Sequence, residues 1–157
     1  MPQLLEWTDE LIEEFWFYYA KHRPEDYFTY QHGSQILNAT LKYVSKDSII
    51  CDYGCGDGYL LEEILNKFKA AGYDHTQENI SITRKRLKDK TNYIGVFGAN
   101  EISQYSHKFD VIYLVETIEH ILDRHFQSLM DNLKTLLKKD GLIIITTPND
   151  ENLTDST

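Results

Sequence analysis

The sequence predicts a doubly wound α/β domain: a mostly parallel sheet of about five strands, preceded by two helices. Three observations lead there. Short apolar runs alternate with amphipathic stretches from residue 48 to Pro148. A glycine-rich stretch, ICDYGCGDGY at 50–59, directly follows the first apolar run. The run at 109–115, FDVIYLV, is apolar enough to suggest burial on both faces.

The elements follow in order. Thr8 or Asp9 caps a helix through His22, whose apolar stripe is Leu11, Ile12, Phe15, Trp16 and Tyr19. Pro24 ends it, and the aromatic-rich connector PEDYFTYQHG runs to Gly33. Ser34 then caps a second helix carrying Ile36, Leu37, Leu41 and Val44. Strands are expected at 48–52, 69–74, 93–98, 109–115 and 142–147, the last stopped by Pro148. Helices are expected at 59–68, 77–87 and 117–138, the last with a break near Asp123. This divides one domain, 1–157, into a helical cap at 1–45, a ligand-binding core at 46–148 and a polar tail at 149–157.

A chain of 157 residues suits a single core, and 11 Tyr and 7 Phe argue against disorder. The formal net charge of −9 makes nucleic acid an unlikely partner, because phosphate binding needs a basic surface. The one basic cluster, Arg84, Lys85, Arg86, Lys88 and Lys90, reads as the solvated face of a helix. No apolar run is long enough to span a bilayer. Cys51 and Cys55 alone support neither a disulfide framework nor a zinc site, and two reduced thiols fit a cytoplasmic protein.

The glycine loop falls where open parallel sheets bind ligands, beyond the carboxyl end of the first strand. Its spacing is G-x-G-x-G at Gly54, Gly56 and Gly58, whereas a dinucleotide loop reads G-x-G-x-x-G. It also carries acids. Asp52 and Asp57 disfavour a pyrophosphate and favour a ligand with a positive end. Asp74 ends the second strand, 22 residues after Asp52, where an acid can hydrogen-bond ribose hydroxyls; the competing reading is a helix cap. A ribose with a positive group and no phosphate describes S-adenosyl-L-methionine.

Four segments together, CDYGCGDGYLLEEI, GYDHT, FDVIYLVETIEHI and GLIIITTPN, resemble the class I S-adenosylmethionine-dependent methyltransferases over about Ile49 to Asn149. Within them, ETIEH followed by TTPN resembles the branch with ubiquinone-biosynthesis O-methyltransferases and small-RNA 2′-O-methyltransferases. The resemblance implies a Rossmann-like fold and a cofactor site. Asp52 would meet the methionine ammonium, and Gly54, Cys55 and Gly56 would line the methionine part. Asp74 would hold the ribose and His75 would lie against the adenine. Ala99 and Asn100 stand where the family often has an aspartate near the adenine, and Val115 would close the far side. It also implies methyl transfer, at oxygen, to a small-molecule acceptor.

A hydroxyl acceptor needs a base. Glu116 and His120 are the candidate catalytic pair. With Glu119 they fall at i, i+3 and i+4, on one face of the expected helix, a set that also raises the question of a divalent metal. The small-RNA enzymes add a further histidine downstream, and this sequence has none after His125. Tyr27, Phe28 and Tyr30 are candidates for a lid, an acceptor wall or plain core. Two other classes stay open: a nicotinamide oxidoreductase, which the loop disfavours, and a cofactor-binding module without activity.

The family's sheet usually has two more strands, a hairpin covering the fifth. None is visible here, so the sequence reads as truncated. Leu142 to Ile145 would form an apolar edge available for self-association.

Overall fold

The computed structural model describes residues 7–148. The polar tail and the truncation expected with it lie outside the described residues.

Two helices lead the chain. Helix α1 spans Asp9–His22, with Thr8 Oγ1 accepting from the Leu11 amide at 3.3 Å. Acids in its first turn and Lys21 and His22 in its last complement the helix dipole. Helix α2 spans Phe28–Thr40, six residues earlier than the sequence suggested. Ser34 is no cap; its hydroxyl bonds the Gln35 side chain. The aromatic connector is thus largely helical. Gly33 is buried within α2, and a Cβ there would lie 3.6 Å from the Leu60 backbone. The glycine marks close helix packing, not a break.

The sheet follows: β1 Ile49–Tyr53, β2 Lys69–Tyr73, β3 Tyr93–Phe97, β4 Phe109–Val115 and β5 Leu137–Thr146. The order is β3-β2-β1-β4-β5 and every pairing is parallel. Between strands run α3 Tyr59–Leu65, α4 Gln77–Leu87 and α5 Asp123–Leu136, plus a 3-10 segment at Ala99–Tyr105. Alternation along the central strands sends Ile50 and Tyr113 into one core layer with Leu60, Leu61 and Ile64. Cys51, Tyr53, Ile112 and Leu114 enter the opposite layer with Leu129, Leu133 and Leu136. Both faces are therefore covered, as the apolar β4 required.

Two boundaries differ from expectation. The stretch 117–122 is not α-helical. Glu116 has φ +49°, Ile118–His120 form a single 3-10 turn, and α5 starts at Asp123. Strand β5 begins at Leu137, directly from α5, and its register slips between Phe109 and Val111 on β4. The basic cluster is also more structural than a solvated face. Arg84 donates to the Val96 carbonyl (2.7 Å) and pairs with Glu101, while Arg86 donates to the Asp57 carbonyl (2.6 Å), pairs with Glu62 and covers the Tyr59 ring.

The sheet edges contrast. At β3, Arg84 occupies a strand carbonyl and a bulge interrupts the ladder. At β5, Leu142 and Ile145 are 38% and 49% exposed.

Candidate active site

A cavity of about 760 Å³ opens at the carboxyl ends of β1, β2 and β4. The glycine loop forms one wall, the segment after β4 another, and α1 the roof. Ile12, Phe15, Trp16 and Tyr19, four of the five residues of the α1 apolar stripe, line it. Tyr53 and Tyr73, stacked with ring centroids 4.1 Å apart, also line it.

The loop's backbone is closed on itself. The Gly54 and Cys55 amides both donate to the Tyr73 carbonyl (2.8 and 2.9 Å), and the Gly58 amide donates to Cys55 (2.8 Å). The Gly56 amide donates to Asp74 Oδ2 at 2.9 Å, and the Gly56 carbonyl accepts from Thr83 Oγ1 at 2.7 Å. Those four amides are what a phosphate-binding loop would turn toward its anion. Here all four are engaged within the protein.

Glycine is required by geometry at Gly54. Its φ is +81°, and an added Cβ would sit 2.6 Å from the Thr117 side chain. Thr117 in turn donates to the Val115 carbonyl at 3.0 Å, and its hydroxyl also reaches the Tyr53 carbonyl at 3.4 Å, which links the exit of β4 to the start of the loop.

The acids behave in three ways. Asp74 is 3% exposed, and its Oδ1 accepts from the Thr76 amide (3.0 Å), the Thr76 hydroxyl (2.9 Å) and Asn79 (3.3 Å). One oxygen thus caps the start of α4 and the other tethers the glycine loop, so the cap and the loop-end acid are the same residue. Asp57 is pushed up to about 6 by burial, with Arg86 opposing and Asp74 adding to the rise. Asp52 is 3% exposed, and its Oδ2 has no hydrogen-bond partner among the described residues. Burial, then the nearby Asp74, push its carboxyl up to about 7, partly offset by the Leu61 amide. A buried carboxyl oxygen without a donor is costly, and an incoming cation relieves that cost. The residues therefore fit a ligand with an ammonium group.

Because burial raises Asp52 above its unfolded value of 3.8, the folded protein keeps a proton that the unfolded chain releases as pH rises. The stability linked to that proton is full below about pH 4 and is lost as pH climbs through about 7. Asp52→Asn is accordingly expected to stabilise the ligand-free protein at pH 7.5 by roughly 1–2 kcal/mol, the ionisation cost less that of an unpaired amide. The gain over the parent should shrink toward pH 4 in urea melts. A variant less stable than the parent at pH 7.5 would show that Asp52 already has its partner.

Beyond β4, Glu116, Glu119 and His120 all line the cavity, though not as one α-helical face. Glu116 accepts from the Thr146 hydroxyl at 2.9 Å, which anchors it to β5. His120 lies edge-on to Trp16 with centroids 4.8 Å apart, and burial lowers its pKa against the pull of Glu116. Burial, with Glu116 as a further cause, raises Glu119. Among the described residues, no group of three or more His, Cys, Asp or Glu is arranged to hold a metal ion.

Of the residues singled out from sequence, Asp52, Gly54, Cys55, Gly56, Asp74, His75, Ala99, Val115, Glu116 and His120 share this one cavity. Asn100 does not line it; it follows Ala99 on the 3-10 segment and is exposed. The three lid candidates separate. Tyr27 lines the cavity, stacks on Trp16 at 5.9 Å and has a buried hydroxyl without a partner among the described residues. Phe28 lines it while 43% exposed, and Tyr30 packs outside on Tyr59. Sequence reasoning missed Thr83, Asn79 and Thr117. The spacing of Asp74, Thr76 and Asn79 at a helix start was the available signal for Asn79; Thr83 and Thr117 had none.

Residues 19–156 match the methyltransferase-domain family. The chain belongs to that family, and its sheet and glycine loop are those of the class I S-adenosylmethionine-dependent methyltransferases. Its relatives narrow the picture. It is 33% identical to a ubiquinone biosynthesis O-methyltransferase of Actinobacillus pleuropneumoniae over 109 residues, 64% of this chain and 45% of that protein. It is 31% identical to malonyl-[acyl-carrier protein] O-methyltransferase 2 of Ilyobacter polytropus over 101 residues, 62% of this chain and 38% of that one. The chain thus spans about half the length or less of these curated relatives. In fold it is similar to phosphoethanolamine N-methyltransferase 1 of Haemonchus contortus, solved with phosphoethanolamine and S-adenosylhomocysteine. There the TM-score is 0.69 at 16% identity, covering 92% of this chain and 34% of the other.

Among the described residues, no helix is long and apolar enough to cross a membrane.

Proposed function

We propose that this chain binds S-adenosylmethionine in the loop cavity and transfers its methyl group to an oxygen of a small-molecule acceptor. The observation that carries the reading is the buried, partnerless Asp52 oxygen beside a glycine loop whose amides are already engaged. That combination suits an ammonium-bearing nucleoside and disfavours a nicotinamide dinucleotide. Asp52 would pair with the ammonium, Asp74 would hold ribose hydroxyls, and the Tyr27 hydroxyl is the unpaired donor beside the loop. When bound, the cofactor supplies an activated methyl group, displaced in line from its sulfonium.

The protein's share is positioning and proton removal. His120, kept neutral by burial, takes the acceptor's hydroxyl proton at a ring nitrogen. Trp16 fixes one side of that ring, and Glu116 stabilises the imidazolium that forms. The deprotonated oxygen would then be poised to receive the methyl group that the bound cofactor supplies. Assayed by transfer of labelled methyl from S-adenosylmethionine to phenols and catechols, His120→Ala is expected to lower turnover about 100-fold. Its affinity for S-adenosylhomocysteine should be unchanged. Undiminished turnover would remove His120 from the chemistry.

The fifth-strand edge supports a second proposal, that two copies pair there. Ile144 packs into the core layer below the sheet, whereas Ile145 is exposed, so Ile145 is the residue to change. Sedimentation of the parent chain should show a dimer, and Ile145→Lys should shift it to monomer. A monomeric parent at high concentration would overturn this.

A further inference from the structure

The charges around the cavity say something about the acceptor that the methyl-transfer reading leaves open. Seven carboxylates line the cavity, and no lysine or arginine among the described residues does. Glu13 is exposed on α1, and four of the other six are spoken for. Asp52 and Asp74 belong to the cofactor side. Asp9 is held by Arg124 (3.0 Å) and His125 (2.9 Å), and Asp26 pairs with Arg23. Glu116 and Glu119 are different. Glu116 is partly buried, Glu119 is an exposed residue whose side chain is 21% exposed, both follow β4 beside His120, and neither has a lysine or arginine within ion-pair distance among the described residues. His120 Nε2 lies 3.8 Å from Glu119 Oε1.

The position of Glu116 is also enforced. A glutamate with φ +49° is unusual, because L side chains avoid the left-handed region. Its amide donates to the Thr146 carbonyl (3.3 Å) and its carboxylate accepts from the Thr146 hydroxyl (2.9 Å). Strand β5 thus holds the residue in place at the cavity wall. Trp16 and Tyr19 line the same cavity from α1 and present ring surface that favours a cation.

We propose that the acceptor carries a positive charge: a hydroxyl-bearing aromatic amine whose ammonium sits between the Glu116–Glu119 pair and the α1 aromatics. The assignment rests on the methyl-transfer reading of the cavity. An acceptor with a carboxylate or phosphate would instead meet two carboxylates and no lysine or arginine among the described residues, and like charges disfavour binding. Burial first, and Glu116 as a further cause, raise the pKa of Glu119.

Three matched probes differ only in charge: tyramine, 4-ethylphenol and 4-hydroxyphenylacetate. Calorimetry first measures S-adenosylhomocysteine alone, which tests the methyl-transfer reading by itself. The probes are then titrated into the protein saturated with S-adenosylhomocysteine at pH 7.5. Tyramine should bind at least tenfold tighter than 4-ethylphenol, and 4-hydroxyphenylacetate more weakly than both. Glu119→Gln, a partly exposed change, should bring tyramine close to 4-ethylphenol while leaving S-adenosylhomocysteine affinity within twofold. Glu116→Gln should do the same, with a thermal melt to confirm folding. Equal or tighter binding of the carboxylate overturns the proposal, as does failure of all three probes to bind the loaded protein. So does a Glu119→Gln variant that loses S-adenosylhomocysteine affinity instead, since the pair would then serve the cofactor.

Discussion

Asp74→Ala is expected to abolish measurable S-adenosylhomocysteine binding and to destabilise the fold by about 2–4 kcal/mol. The size follows from how many donors it serves. One oxygen receives the Gly56 amide, and the other receives the Thr76 amide, the Thr76 hydroxyl and Asn79. Removing the carboxylate leaves these donors without their acceptor in a region only 3% exposed at Asp74, and each unmet buried donor costs about 1–3 kcal/mol. Water entering the space recovers part of that. The glycine loop then loses the Gly56–Asp74 bond that ties it to the end of β2 through a side chain. Asp74→Asn is the informative companion: it keeps one acceptor oxygen and should retain most of the stability but not the cofactor affinity. Urea denaturation and calorimetry on both variants check this. An Asp74→Ala protein that binds S-adenosylhomocysteine like the parent would reduce Asp74 to a helix cap.

Gly54→Ala is expected to cost a similar amount by a different route. The left-handed φ of +81° costs an L-residue roughly 1–2 kcal/mol, and the new methyl would lie 2.6 Å from the Thr117 side chain. Thr117 is held by the Val115 carbonyl, so the strain passes into the exit of β4, where the cavity wall begins. Cofactor affinity should fall at least tenfold. The double variant Gly54→Ala, Thr117→Ala separates the two causes. It removes the clashing Thr117 atoms and should recover the part of the loss due to contact, leaving the backbone cost. Full recovery would mean that φ carries no penalty here, and no recovery would mean that Thr117 is not the obstacle.

The sheet was legible in the sequence because its signals are local. Runs such as FDVIYLV report burial on two faces wherever they occur, and all five strands were found. The loop was legible for the same reason: spacing and flanking acids are both one-dimensional. Ser34 misled because a hydroxyl before an apolar run is a cap only if the preceding backbone is extended, and packing of Gly33 on Leu60 keeps it helical. The candidate catalytic segment misled similarly. Residues at i, i+3 and i+4 share a face only in an α-helix, and Glu116 turns the backbone left-handed before any helix begins. Asn100 was placed by analogy of position, and the turn after β3 points it to solvent. The role of α1 was the least legible. An aromatic stripe has the same spacing whether it covers a core or roofs a cavity, and only the positions of Trp16 over His120 and Tyr27 tell these apart.

At the centre stands Asp52, whose buried Oδ2 has no hydrogen-bond partner among the described residues and is proposed to meet a cationic nucleoside. Calorimetry of S-adenosylhomocysteine binding, repeated at pH 7 in buffers of different ionisation enthalpy, addresses it directly. Because Asp52 sits at about 7 and must be ionised to pair with the ammonium, one-to-one binding with net proton release is expected. The release should be absent in Asp52→Asn, and NAD should give no comparable heat. Binding of NAD in place of S-adenosylhomocysteine, or binding with no proton release from the parent protein, would contradict it.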